Sequence, residues 1–222
     1  MTPDILHEDQ DIIVCVKPSG IATQNSRIGT PDMVSILKNH LYKKGEKKAE
    51  PYLAVIHRLD QPVEGLLVFA KNRSAAAKLT KQLTQYGFGK YYRALLVGTP
   101  SPDQGSLCDY LVKDGKTNTS RICAPDTNGA KKAVLHYKIL ESKPPFSLAE
   151  ITLETGRHHQ IRVQMAHHLK CPIAGDRKYG AASPDASNES YDTLQLYACR
   201  LTFRHPRTDR QMEFRLDRLS SI

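Results

Sequence analysis

The chain has 222 residues, of which 40% are hydrophobic and 25% are charged, values that are ordinary for a globular protein with a sizeable core. No apolar run reaches the roughly 18 residues of a membrane helix, and the acidic N-terminal segment MTPDILHEDQD does not resemble a signal peptide. We therefore expect a cytoplasmic protein with no membrane partner. The net charge of +9 favours a polyanionic partner, because contacts to phosphates release counterions.

The N-terminal part of the chain alternates short apolar runs with helical patterns. Residues 11–17 (DIIVCVK) predict a buried strand that ends at a Pro-Ser-Gly turn. Thr30-Pro31 predicts the start of a helix, which the lysine-rich stretch KKGEKKAEP ends. Residues 53–56 and 65–70 predict two further strands, and a second helix is expected from Ser74 to Gly87 with Tyr86 on its apolar face.

From Lys90 onward the chain is mostly strands. Five are predicted at residues 91–98, 108–114, 119–125, 133–141 and 147–154, a third helix at about 158–169, and two final strands at 194–203 and 211–216. Residues 184–189 predict a loop. No βαβ rhythm and no linker are visible, so we expect an α+β fold with a mixed, mostly antiparallel sheet and a few flanking helices, forming one catalytic domain over residues 1–222.

Cysteines and basic residues restrict the kind of partner further. The five cysteines are scattered without a CxxC pair, which argues against a disulfide framework and a structural zinc site. The basic residues cluster in the lysine-rich stretch, at Lys131-Lys132 and in the arginine-rich C-terminal stretch. Three such clusters favour a nucleic-acid partner. The lysines expected to grip an RNA backbone are Lys43, Lys44, Lys47 and Lys48.

Two polar segments are candidates for chemistry. Asp60 stands beside Arg58 just after a predicted buried strand, where a scaffold presents reactive groups; on these residues alone it could be a turn residue, an arginine partner or a nucleophile. The segment ETGRHHQIR (154–162) opens the third helix with two arginines. An arginine there could keep Asp60 ionised while others hold phosphates.

Four further motifs accompany Asp60. They are DIIVCVKPSGIATQ (11–24), KYYRALLVG (90–98), GRHHQIRVQMAHHLKCPIAGDRKYG (156–180) and LQLYACRLTFRHP (194–206), while Asp60 itself lies within AVIHRLDQPVEGLLVFAKN (54–72). In this order the motifs resemble the RluA-type pseudouridine synthases over nearly the whole chain. The resemblance implies the pseudouridine synthase catalytic fold and the isomerisation of uridine to pseudouridine in RNA.

Site residues follow from the matched positions. The resemblance implies that Asp60 is the catalytic residue, that Tyr92 stacks against the target base and that Arg162 pairs with the catalytic aspartate. It gives Arg58 a role in handling the flipped nucleotide and places Leu196 near the base pocket. Two departures bear on substrate choice: Val63-Glu64-Gly65 replaces the usual Thr-Ser-Gly, and Tyr197 replaces the usual histidine.

The implied reaction needs no cofactor, because nothing is oxidised and no phosphoryl group moves. The glycosidic bond at N1 breaks, the uracil rotates and C5 bonds to the sugar. Asp60 would either attack the nucleotide or abstract a proton from its sugar, and the base must be flipped from its stack onto an aromatic face. Ribosomal RNA is slightly favoured over transfer RNA as the substrate. A monomer without a bound metal or a separate N-terminal RNA-binding domain is expected.

Three other functions are each compatible with part of the sequence. Glu64, four residues after Asp60, would suit a glycosidase, but the chain has no tryptophan to line a sugar cleft. The histidines at 158, 159, 167 and 168 could suggest a metal site, yet their spacing spreads them over different helix faces and no HExxH is present. A non-catalytic RNA-binding module would keep the basic surface but could tolerate loss of Asp60.

Overall fold

The computed structural model describes residues 2–25, 29–44, 49–85, 87–180 and 191–222. The chain forms two compact units. The first unit comprises Met1–Gly89 and Ala198–Leu216, and the second comprises Lys90–Tyr197 and Asp217–Ile222. Whether the two act as one catalytic domain stays a prediction.

The described residues contain three helices and eleven strands. The helices are α1 (Met33–Lys44), α2 (Arg73–Gln85) and α3 (Gln160–His167). The strands are β1 (Asp4–Glu8), β2 (Ile12–Lys17), β3 (Ala54–Val55), β4 (Glu64–Ala70), β5 (Gly89–Val97), β6 (Gln104–Asp114), β7 (Thr119–Cys123), β8 (Lys131–Lys143), β9 (Phe146–Leu153), β10 (Leu196–Arg204) and β11 (Gln211–Arg215).

In the first unit the strands β1, β2, β4 and β10 follow one another, with β3 paired to β4 and β11 to β10. The pairs β1·β2, β2·β4, β3·β4 and β10·β11 are antiparallel. Ile12, Val14 and Val16 of β2 alternate into a core with Leu66 and Val68 of β4, which is the period of two expected of a strand. Helix α2 covers this core with Ala75 and Leu79.

In the second unit the strands run in the order β5, β9, β8, β6, β7, and each neighbouring pair is antiparallel. Helix α3 packs Val163 and Ala166 against Leu111 and Ala133 of this sheet. The α+β fold with mostly antiparallel strands and a few helices is therefore confirmed. A parallel bridge between Ala22 and Asp32 is one departure from antiparallel pairing.

Helix starts differ from the predicted ones by one or two residues. Helix α1 is capped by Asp32, whose carboxylate accepts the Ser35 amide at 2.7 Å while Ser35 Oγ accepts the Asp32 amide at 3.0 Å. Helix α2 is capped by Asn72, whose Oδ1 accepts the Ala75 amide at 2.8 Å. Both are side-chain caps of the usual kind, so Thr30 and Ser74 do not cap these helices.

Strand boundaries were predicted less completely. Strand β1 was not predicted, because its residues DILHE alternate weakly. The strand predicted at 53–56 is reduced to the two residues of β3. Tyr86, Lys47, Lys48 and the predicted loop at 184–189 lie outside the described residues. Among the helices described, none is long and apolar enough to cross a membrane.

Candidate active site

Asp60 lies in a tight turn between β3 and β4 of the first unit. The Val63 amide donates to the Asp60 carbonyl at 3.0 Å, which closes the turn. Asp60 is half-buried, Leu59 before it is buried and Arg58 is exposed. Burial of Leu59 between two polar neighbours anchors the segment, so that Asp60 is presented from a fixed backbone.

A second segment, residues 17–23, braces this turn through its backbone. Thr23 Oγ1 accepts the Leu59 amide and donates to the Leu59 carbonyl, both at 3.1 Å. The amide of Gly20 donates to the Gln61 carbonyl at 2.9 Å, and Gln61 Nε2 donates to the Gly20 carbonyl at 2.9 Å. The neighbours of Asp60 on both sides are thus bonded to the segment that follows β2, Leu59 to Thr23 and Gln61 to Gly20.

The side chain of Lys17 also links the two segments. Its side chain is fully buried, and Nζ donates to the carbonyls of Pro18 at 2.8 Å, Ile21 at 2.6 Å and Gln61 at 2.9 Å. Three acceptors satisfy the three donors of an ammonium group. Burial lowers the pKa of Lys17 to about 8, and the carboxylates of Asp60 and Glu64 oppose this shift. The ammonium group therefore lies within electrostatic range of Asp60.

Gly65 is the one residue of the Val63-Glu64-Gly65 segment that agrees with the usual Thr-Ser-Gly, and the structure gives a reason for it. Its φ is +144°, and a Cβ atom there would lie 2.5 Å from the Ala198 carbonyl oxygen and 2.6 Å from the Ala198 nitrogen. Only glycine allows β4 and β10 to approach this closely. The position that the resemblance matches to the usual glycine is therefore required by the backbone, whereas Val63 and Glu64 meet no such limit.

Tyr92 and Leu196 lie in the second unit. Tyr92 is 6% exposed and stands opposite Ile151 of β9, and Leu196 at the start of β10 is 3% exposed. The residue before Leu196 is fixed on both sides, since the Gln195 carbonyl accepts the Leu95 amide at 3.1 Å and the Gln195 amide donates to Ala174 at 2.9 Å. Tyr197, the second departure, donates its hydroxyl to Gln195 Oε1 at 3.0 Å.

Arg162 on α3 forms a buried, two-point ion pair with Asp176. Nε donates to Oδ2 at 2.8 Å and Nη2 to Oδ1 at 2.7 Å, with the arginine side chain 5% exposed and the aspartate fully buried. The Tyr179 ring lies 5.2 Å from the guanidinium carbon, a cation–π distance. Asp176 lies within the motif at residues 156–180, but no role was predicted for it. The predicted pairing of Arg162 with Asp60 stays a prediction.

The residue before α3, His159, has a left-handed backbone with φ 54°. Its Nδ1 lies 2.8 Å from the Tyr179 hydroxyl, and that hydroxyl accepts the Ser120 amide at 2.7 Å. Burial, followed by the charge of Arg162, lowers the pKa of His159 to about 2, so the ring is neutral at physiological pH. His158 stacks on it with ring centroids 3.8 Å apart. This network fixes the entry of α3 and hence the position of Arg162.

The side chains that could bind a metal ion are not among the site residues described above. Within the described ranges, the side chains close enough to hold an ion are Asp9, Asp11 and His205 of the first unit. Asp9 is already bonded to two backbone amides and His205, and Asp11 to Asn72 and Arg207. These internal contacts explain the cluster without an ion. None of the histidines weighed as metal ligands belongs to it.

The site residues inferred from the resemblance are divided between the units: Arg58 and Asp60 share the turn of the first, whereas Tyr92, Arg162 and Leu196 belong to the second. Sequence reasoning missed the contributions of Lys17 and Asp176. Each lies in one of the family-like motifs, so the available signal was a charged residue at the end of an apolar run.

Comparison with known proteins identifies the family. The family model described as RNA pseudouridylate synthase matches residues 11–167. A Bacillus subtilis protein named "Uncharacterized RNA pseudouridine synthase YlyB" is 35% identical over 96% of this chain and 68% of its own length. The ribosomal large subunit pseudouridine synthase D of Vibrio vulnificus is 33% identical over 95% of this chain and 66% of its own length. The chain thus spans about two thirds of these relatives.

Solved structures agree on the fold. Human RNA Pseudouridylate Synthase Domain Containing 4 superposes with a TM-score of 0.77 at 24% identity, covering 96% of this chain and 88% of that one. Human RNA Pseudouridylate Synthase Domain Containing 1 gives 0.74 at 21% identity, covering 98% and 84%. Proteins named RNA pseudouridine synthases are isomerases. By its family match and its curated relatives, this chain belongs to the RNA pseudouridylate synthase family.

Proposed function

We propose that the chain isomerises uridine to pseudouridine in structured RNA, with Asp60 as its essential catalytic group. The observation that carries this proposal is the braced turn: Asp60 lies half-buried in the matched family segment, with residues on both sides bonded to residues 17–23. Such a backbone holds a carboxylate in one place without a ligand, which is what preorganised catalysis requires.

The reaction conserves all atoms except one exchanged proton. The bond between N1 and the sugar breaks, the uracil turns, C5 bonds to the sugar carbon, and the proton leaving C5 passes to solvent. Asp60 serves as a nucleophile toward the nucleotide or as the base that takes a sugar proton. Either role needs the ionised carboxylate, and the nearby Lys17 ammonium stabilises that form by attraction.

The remaining roles follow the family positions. The flipped uracil stacks on Tyr92, Leu196 closes the base pocket, and Arg58 holds the nucleotide out of its helix. Arg162 pairs with Asp60 as well as with Asp176, since a guanidinium carries five N–H donors and the pair with Asp176 uses two. Exposure of Arg58 supports a role toward an incoming ligand.

We propose ribosomal RNA rather than transfer RNA as the substrate. Several relatives at about one third identity are named ribosomal large subunit pseudouridine synthase D. We also propose that the protein acts in the cytoplasm as a monomer and without a bound metal. Its reaction needs no cofactor, because it transfers neither electrons nor a phosphoryl group.

The test is tritium release from RNA labelled at C5 of its uridines. Wild-type protein should release tritium, and Asp60→Asn should lower the rate by at least about a thousandfold, since it removes the reacting group. Asp126→Asn, which changes an exposed carboxylate of the second unit, should leave the rate unchanged. Parallel assays on ribosomal and transfer RNA assign the substrate class. Absence of release by wild type on both would overturn the proposal.

A further inference from the structure

Lys90, at the beginning of β5, is a largely buried lysine that has no matching anion among the described residues. Only 8% of its surface is exposed, yet within the described residues no oxygen accepts a hydrogen bond from Nζ and no carboxylate forms an ion pair with it. Lys17, which is fully buried, has three carbonyl acceptors. Taking an ammonium group out of most of its water without acceptors is costly, so a bound anion would stabilise this position, and the described residues do not supply one.

The nearest groups reinforce this requirement. Burial, and then the positive charge of Arg157, lowers the pKa of Lys90 to about 8. Arg157 is held in place, since its Nε donates to the Lys132 carbonyl at 2.8 Å and its amide donates to Gln160 Oε1 at 3.0 Å. Two cations of different elements are therefore fixed near each other, an arrangement that an anion between them would stabilise.

Gly156 keeps the ammonium group accessible. A Cβ atom at this residue would lie 3.4 Å from Lys90 Nζ, in direct contact with it. The absence of a side chain leaves that face of the ammonium group open to a ligand. Gly156 does not have a positive φ, so its backbone conformation does not require glycine. The space beside Lys90 Nζ, which a side chain would fill, is therefore a separate reason for glycine at this position.

We propose that Lys90 and Arg157 bind a phosphodiester group of the RNA, adjacent to the base that stacks on Tyr92. Lys90 and Tyr92 are two residues apart and both point to the buried face of β5, roughly 7 Å apart along the strand. That spacing lets one nucleotide place its base on Tyr92 and a backbone phosphate at Lys90. An arginine and a lysine together suit a phosphate, the first as a planar fork and the second as a point charge.

This inference rests on the proposed function for the identity of the anion, because only an RNA substrate brings a base and a phosphate to one site. Its test measures binding, whereas tritium release measures chemistry. The two can therefore fail separately. A protein that releases tritium but whose RNA affinity does not depend on Lys90 would retain its function and lose this site.

The binding experiment compares Lys90→Met with Lys138→Met, which removes one charge from an exposed position of β8. The probe is a fluorescent RNA stem–loop with uridines in its loop, titrated at several salt concentrations. Lys90→Met should weaken binding about tenfold and reduce the salt slope by about one, and Lys138→Met should do neither. Lys90→Arg, which keeps the charge, should stay within about threefold of wild type. Equal affinities for Lys90→Met and Lys138→Met would overturn the site.

A second measurement uses the wild-type protein, so that it does not depend on the folding of a variant. The ε-carbon signal of Lys90, assigned in ¹³C-lysine-labelled protein by its loss in Lys90→Arg, is followed against pH with and without the stem–loop. Bound phosphodiester should raise the pKa of Lys90 from about 8, because an anion stabilises the ammonium form. An unchanged titration would refute the proposal, as would a response to inorganic phosphate but not to RNA.

Discussion

Lys17 shows how a single buried charge can hold a reactive turn. Its three carbonyl acceptors come from both segments of the brace, Pro18 and Ile21 on one side and Gln61 on the other. A hydrophobic side chain of the same length would remove the Lys17 donor from all three carbonyls, although the Gln61 carbonyl would keep the Gly20 amide. Lys17 is thus a positioning residue: it touches the backbone next to Asp60, and it acts on the reaction through that backbone.

Lys17→Met should destabilise the protein by about 2–4 kcal/mol, the cost of leaving buried acceptors unsatisfied, and should lower kcat more than it raises KM. The stability difference from wild type should also widen from pH 8 to about 10.5. The pKa of Lys17 is lowered to about 8 on folding, so the unfolded chain binds more protons in this window and wild-type stability rises with pH. Urea unfolding at several pH values measures the stability and its pH dependence, and steady-state tritium release measures kcat and KM.

The matched control is Lys81→Met, which removes an exposed lysine of α2 in the same unit. It should change neither stability nor its pH dependence. If Lys17→Met lowered stability but left kcat intact, the brace would have a structural role only. A Lys17→Met protein as stable as wild type would show that the three hydrogen bonds contribute little.

The role of Lys17 could not be predicted from the sequence, although its motif was identified. One of its acceptors, Gln61, is 44 residues away along the chain, and nothing in local spacing brings the two together. Asp176 was missed for the same reason, since its partner Arg162 precedes it by 14 residues across the end of a helix. The role of Asp60 was inferred from the resemblance of one contiguous string, residues 54–72, and it stays a prediction.

At the level of elements, the turn after β1 is tied to the turn between β10 and β11 by Asp9 and His205. His205 Nδ1 accepts the amides of Arg207 and Thr208, both at 3.2 Å, which leaves Nε2 to donate to Asp9 Oδ2 at 2.8 Å. Asp9 Oδ1 accepts the amides of Asp11 and Ile12 at 2.7 and 2.9 Å. One carboxylate thus joins three elements of the first unit.

Asp9→Asn should lower stability at pH 7 by about 1–2 kcal/mol, because it weakens charge-assisted hydrogen bonds. Burial raises the pKa of Asp9, but the Asp11 and Ile12 amides and the two histidines outweigh it and hold that pKa well below its ordinary value. The stabilisation is therefore present above the unfolded pKa near 4 and is lost as pH falls below it. Thermal melts between pH 2 and 7 should show wild type and variant converging in acid.

Asp4→Asn provides the comparison, since Asp4 is an exposed carboxylate of β1 in the same unit. Its melting curves should follow those of wild type throughout. A constant gap between Asp9→Asn and wild type down to pH 2 would contradict the assignment, because it would mean that ionisation of Asp9 does not contribute.

Elements themselves were largely predictable, and their ends were not. The continuous apolar runs of β2 and β4 follow from burial of both strand faces. The helical spacing of α1 and α2 follows from burial of one helix face. Helix α3 begins only at Gln160, because His159 adopts a left-handed backbone. A histidine at positive φ is uncommon, and the contact with Tyr179 that supports it comes from 20 residues further along the chain.

For the whole molecule, the excess of nine positive charges is the property most relevant to an RNA partner. Part of that charge is neutralised internally. Glu8 accepts hydrogen bonds from Lys44 at 3.0 Å, Lys71 at 3.1 Å and His40 at 2.8 Å. Lys43 is exposed, and no carboxylate of the described residues pairs with it. Lys43 can therefore contact a phosphate with its full charge, whereas the charge of Lys44 is partly neutralised by Glu8.

Replacing Lys43, Lys44, Lys47 and Lys48 together by glutamine should weaken RNA binding and flatten its salt dependence, by about one unit of slope for each lysine that contacts a phosphate. Among single variants, Lys43→Gln should have the larger effect and Lys44→Gln the smaller, because Lys44 already shares Glu8. Filter binding at several salt concentrations measures the slopes. The fourfold arginine variant, which keeps the charge, should bind as wild type does. Slopes unchanged in the glutamine variant would remove this stretch from the RNA interface, and would leave the charge of the other clusters to account for binding.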